Sequence, residues 1–141
     1  MKHLVKKFLA TVFAMALGVT SVTAYAATGG APAPRWTYMT LVSGGMEVDD
    51  NNIASINVIC GSDTSQTNRI KAKCELQQLK GSWETIKTWT EENKKESVIL
   101  YDKEYAIAKK YSYRLKITAY AYKDTTLKET VTDYFDYGYY Q

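Results

Sequence analysis

An all-β chain, folded as an antiparallel sandwich of about seven strands behind a secretory leader, is the class the sequence predicts. Three observations predict it. Apolar and polar residues alternate with period two through much of the chain beyond residue 36. Polar connections rich in Gly, Asn, Asp and Ser interrupt that alternation roughly every 8–12 residues, the rhythm of short strands joined by turns. The first residues follow a different order altogether: charged, then apolar, then small.

That N-terminal order reads as a signal peptide over residues 1–26. Lys2, Lys6 and Lys7 precede an apolar run at 8–19, and the small-x-small triplet Ala24-Tyr25-Ala26 closes it. An apolar helix of that length reaches about 18 Å, short of a ~30 Å hydrocarbon core, so a leader is favoured over an anchor. Cleavage after Ala26 would give a secreted, extracellular protein with no membrane span. The leader also holds three of the 18 basic residues, and the remainder balances 15 Lys+Arg against 15 Asp+Glu. The sequence pI of about 8.7 therefore gives no reason to expect nucleic acid as a partner, which requires clustered excess cations. His3, the only histidine, leaves with the leader. Without imidazole there is no Ser-His-Asp or Cys-His pair and no histidine-held metal, so no catalytic residue, cofactor or metal is expected.

Residues 27–35 hold both prolines and two glycines and read as a flexible linker; residues 36–141 read as the β-sandwich domain. Strands are expected at 36–42, 53–60, 69–79, 83–90, 97–101, 105–108, 111–122 and 128–137. Their connections fall at 43–45, 61–68, 80–82, 91–96, 109–110 and 123–126. In 53–60, Ile56, Val58 and Cys60 share one face while Ser55, Asn57 and Ile59 share the other. In 69–79, Ile70, Ala72, Cys74 and Leu76 point inward, and Arg69, Lys71, Lys73 and Glu75 outward. The pattern in 111–122 is cleanest, with Tyr113, Leu115, Ile117, Ala119 and Ala121 opposite Ser112, Arg114, Lys116, Thr118 and Tyr120. Trp83 and Trp89 share parity on one strand, so one face should present both, with at least one in the core. Residues 102–110 also contain helix formers behind Asp102, but strand and turn are preferred there.

Cys60 and Cys74 both fall on apolar faces of consecutive strands. Export favours oxidation, and a structural disulfide between them is expected, closing a loop worth about 3 kcal/mol. A hairpin pairing would centre on Thr67 and need a bulge; alternatively, the strands lie in different sheets and the bond crosses the core. A redox pair lacks the C-x-x-C spacing, and a metal site would need more ligands.

The stretches LQQLKGSWETIKTW, KKYSYRLKITAYAY and KETVTDYFDYGYY resemble the short secreted proteins of unknown function from Gram-positive, clostridia-like bacteria. The resemblance covers about residues 53–137. It implies an immunoglobulin- or fibronectin-III-like sandwich and no activity. It further implies that Tyr111 or Tyr113 serves as a tyrosine corner, its hydroxyl bonding upstream backbone. The sequence departs in having Lys-Lys-Tyr at 109–111, where a turn glycine would be typical.

Eleven tyrosines remain after export. A rigid ring with a hydroxyl offers contact area at low entropic cost, which suits recognition of a protein or glycan partner at the cell envelope or beyond. Tyr120 and Tyr122, outward beside Arg114 and Lys116, are the leading candidates for partner binding, with Arg114 itself and the terminal Tyr139 and Tyr140. The plainer reading is that Tyr is a good strand former at sheet edges. Glu47, Asp49, Asp50, Asn51 and Asn52 are oxygen-rich but lack Ca²⁺-loop spacing, and an ordinary turn is expected. The mixed charges of 91–96 read as a solvated loop. The predicted function is a secreted, non-catalytic binding module. Alternatives are a small exported effector, disfavoured by the neutral charge, and a carboxylate-pair hydrolase, disfavoured because so small a sandwich rarely forms a cleft.

Overall fold

A strand with one wet face needs a second apolar layer to cover its dry one, and two sheets satisfy that need here. The computed structural model describes residues 36–141; the expected leader at 1–26 and linker at 27–35 lie outside the described residues. Seven strands follow in order: β1 (Met39–Val48), β2 (Ile53–Ser62), β3 (Arg69–Lys80), β4 (Ser82–Asn93), β5 (Val98–Ala106), β6 (Tyr111–Lys123) and β7 (Thr126–Tyr140). They form a three-stranded sheet, β1-β2-β5, and a four-stranded sheet, β4-β3-β6-β7, with every pairing antiparallel. This is the immunoglobulin/fibronectin-III-like sandwich. Its β4 hydrogen-bonds to β3, whereas the fourth strand of a constant-type immunoglobulin domain joins the opposite sheet. Among the described residues there is no helix, hence none long and apolar enough to cross a membrane.

The core contains the rows that alternation assigned and adds Met39, Val42, Ala54, Ile99, Ile107 and Val131. Ile56, Val58 and Cys60 of β2 face Ile70, Ala72, Cys74 and Leu76 of β3 and the inward row of β6. Tyr113, Leu115, Ile117, Ala119 and Ala121 are at most 1% exposed. Tyr113 is the tyrosine corner: its hydroxyl donates to the Ala108 carbonyl at 2.6 Å and accepts from the Gln78 amide at 2.8 Å. Desolvation raises its pKa, and these hydrogen bonds only partly oppose the rise. Lys110 supplies the left-handed turn that a glycine would usually make, with φ 69°. Its N–H donates to the Tyr140 carbonyl at 2.6 Å, which sets the start of β6 at Tyr111.

Three expectations need correction and one open alternative is decided. Ser43-Gly44-Gly45 is not a turn but the middle of β1; the glycine is required by depth, because a Cβ on Gly44 would collide with Ile117 Cδ1 of the opposite sheet. The reversal comes later, at 49–52, where Asn52 adopts φ 63°. The strands expected at 97–101 and 105–108 are one continuous β5, which also removes the helical option for 102–110. Of the two arrangements open to Cys60 and Cys74, the structure has the second, with β2 and β3 in different sheets. Finally, the register of β3 with β4 shifts between Leu76 and Gln77, leaving Ile86 as the extra residue. That bulge reverses the side-chain phase, so Trp89 opposes inward Cys74 while Trp83 lies on the outer face.

The expected disulfide also needs correction. Both cysteines are buried free thiols. They sit on facing sheets within one core, near enough that Cys60 bears on the Cys74 thiol.

Candidate functional site

The outer face of the four-stranded sheet collects the cations of two central strands beside aromatic rings from three. Register places Lys71 beside Tyr120 and Glu75 beside Lys116. It also sets Lys116 beside Tyr134 of β7. At one end the Arg114 guanidinium lies between two rings, 4.3 Å from the Trp83 centroid and 4.4 Å from that of Tyr134. Arg114 Nε also donates to Gln77 Oε1 at 2.8 Å, which fixes the plane of the fork. In the middle, the Glu75 carboxylate sits 3.6 Å from Lys73 Nζ and 3.8 Å from Lys116 Nζ. Among the described residues its Oε2 has no hydrogen-bond partner. At the other end Lys71 Nζ lies 4.6 Å from the Tyr120 centroid, and the Arg69 guanidinium 4.6 Å from that of Tyr122. Arg69 Nε donates to Glu92 Oε1 at 2.6 Å. Cation–ring contacts thus occupy both ends of the face, with a Lys-Glu-Lys cluster between them. Each such contact is worth about 0.5–1 kcal/mol at an exposed site, and together they hold long side chains in fixed positions.

Tyr120, Tyr122 and Arg114, nominated from parity, share this face. Tyr139 stands opposite Ser112 beyond the Arg114 end and is 58% exposed. Tyr140 has a different setting. Its hydroxyl donates to Asn52 Oδ1 at 2.7 Å and its ring packs against the core, tying the end of β7 to the β1–β2 turn. Trp83 was missed because the bulge decides its face. Tyr134 was missed because its role depends on a neighbour twenty residues away in sequence. The alternating cations of β3 and β6 were the available signal.

Other groups have local work. Asp49 Oδ1 accepts from the N–H groups of Asn51 and Ile53, both at 2.9 Å, so the oxygen-rich loop is a self-capped turn. Among the described residues no three His, Cys, Asp or Glu side chains are placed to hold a metal. Glu91 and Glu92 are successive on β4 and so point to opposite faces; Glu91 accepts from Lys103 Nζ at 2.6 Å and Glu92 from Arg69. They do not form a converging pair. Desolvation pushes the Cys60 thiol up to about 12, with a Ser43 backbone hydrogen bond opposing it in part. Cys74 is pushed to about 12 by desolvation, then by Cys60 and Glu75. Neither is set up as a nucleophile.

Comparison adds no relative. The chain matches no protein-family model and no curated protein. The reading of function therefore rests on the face itself.

Proposed function

We propose that the chain is a secreted, non-catalytic β-sandwich module that binds a protein partner, at the cell envelope or outside the cell, through the outer face of β4-β3-β6-β7. One observation carries this reading: the ladder running from Trp83, Arg114 and Tyr134 to Lys71, Tyr120 and Tyr122. Tyr, Trp and Arg are the side chains in which interface binding energy concentrates. Mutual stacking holds them before a partner arrives, so less entropy is lost on binding. A glycan is the second reading, favoured by the exposed rings of Tyr134 and Tyr139, 48% and 58% exposed.

The test uses mature protein as bait against envelope and secreted fractions, with Tyr120→Ala/Tyr122→Ala and Arg114→Ala as matched baits of unchanged melting temperature. Either variant should weaken a captured partner's binding by about 30-fold, the effect of losing a hot-spot side chain. Partners retained at full strength by both variants would refute this face.

A further inference from the structure

β5 is an edge strand of the three-stranded sheet, away from the ladder on the four-stranded one. The hydrogen-bond phase shows which backbone groups it offers. Ile107 N–H donates to the Asn52 carbonyl at 2.9 Å, and Ser62 N–H donates to the Ser97 carbonyl at 2.8 Å. Both lie in the register that pairs Ile53 with Ala106 and Gly61 with Val98. Antiparallel pairs exchange both bonds at every second residue, so the odd-numbered residues of β5 bond to β2. Val98, Leu100, Asp102 and Glu104 then aim their N–H and C=O groups away from the sheet. Among the described residues no strand lies on that side of β5. Among the described residues, only the Val98 carbonyl has found a partner there, the Asn93 side chain at 3.2 Å.

The odd-numbered side chains hold the edge in place. Tyr101 donates to the Ala72 carbonyl at 3.2 Å, Lys103 pairs with Glu91, and Tyr105 meets Trp89 edge-on with ring centroids 6.2 Å apart. Beside the open backbone, a groove of about 420 Å³ separates the start of β5 from the end of β4. The even-numbered side chains divide the edge into two halves. Val98 and Leu100 are apolar, 47% and 62% exposed. Asp102 and Glu104 follow, and neither has an ion-pair partner among the described residues. Lys94, Lys95 and Glu96 stand in the turn before β5 at the opposite, apolar end, where Glu91, Glu92 and Glu96 line the groove.

We infer that the β5 edge accepts an extended peptide strand of another protein, with apolar residues against Val98 and Leu100 and basic residues against Asp102 and Glu104. Main-chain bonds at Leu100, Asp102 and Glu104 would supply affinity, and the two halves of the edge would supply register. This site does not depend on the ladder face, and Tyr120→Ala/Tyr122→Ala leaves it intact.

The test is a titration of full-length mature protein with the synthetic peptide KTKTVTVT, beside ETETVTVT and a KTKTVTVT backbone-methylated at alternate nitrogens. The first should bind saturably, and each of the others about tenfold or more weakly, since one lost main-chain or charged contact is worth about 1.4 kcal/mol. Leu100→Pro removes an outward-pointing donor without removing a bond to β2 and should weaken binding to the same degree. Asp102→Lys/Glu104→Lys, a surface change that leaves the core alone, should reverse the preference between the two charged peptides. Absence of saturable binding, or binding indifferent to methylation and charge, would overturn the proposal. So would concentration-dependent dimerisation abolished by Leu100→Pro, which would assign the edge to a second copy.

Discussion

Cys60 and Cys74 show how completely a side chain's chemistry depends on what surrounds it. Both are 0% exposed, and burial raises each thiol to about 12. A thiol with that pKa is almost entirely protonated at neutral pH and reacts slowly with alkylating or oxidising reagents. Native protein should therefore resist iodoacetamide, and protein unfolded without reductant should take up two labels. Unfolded protein that takes up none would mean that the sulfurs are bonded. The burial of both sulfurs was legible from parity, because each occupies an apolar row. Their bonding was not, because it depends on the gap between two sheets and no local pattern reports that distance. Tyr113 is the contrasting case: its role followed from a resemblance, and the structure supplies the acceptor, Ala108.

Edges are the weak points of a sandwich, since two open sheets leave four strands with unpaired sides. These four edges are tied across the layers in two pairs by carboxylates. Glu129 of β7 accepts from the N–H groups of Thr37, Tyr38 and Met39 at 2.8, 2.8 and 2.6 Å, binding the entry to β1 against β7. On the other side Glu91 of β4 holds Lys103 of β5. Desolvation would raise the pKa of Glu129, but the three backbone donors outweigh it and the pKa is lowered. A lowered folded pKa means that the stabilisation is present above the unfolded value of about 4.3 and is lost as pH falls through the folded value. Glu129→Gln should cost about 1.5–3 kcal/mol at neutral pH, the worth of hydrogen bonds to a charged acceptor. Urea denaturation of both proteins should show that difference shrinking as the pH drops toward about 3. A difference that is constant with pH would rule out the charge as its source.

Across the whole molecule the two sheets share one core, with Gly44 of β1 lying directly beneath Ile117 and Leu115 of β6. Adding one methyl there overpacks a site with no free volume. Gly44→Ala should cost about 1–3 kcal/mol and lower the melting temperature of the domain as a single transition. A variant as stable as the parent would show that the layers can separate locally. The same contact explains why a Gly-Gly pair misled as a turn signal. Glycine marks either a sharp reversal or a close approach, and only the position of the opposite sheet decides between them.

What the amino-acid order determined alone was local: the alternation that makes strands, the inward rows of β2, β3 and β6, the outward cations, and the polar stretches that break the chain. Each follows from the geometry of a single pleated segment, in which successive side chains take opposite faces. Tertiary structure decided the placement of β4 beside β3, the outward turn of Trp83 at the Ile86 bulge, the joining of β5 into one strand, and the placement of the two thiols on facing sheets. These depend on which strands become neighbours and how far apart the layers settle, and such long-range distances are set by packing the whole core at once.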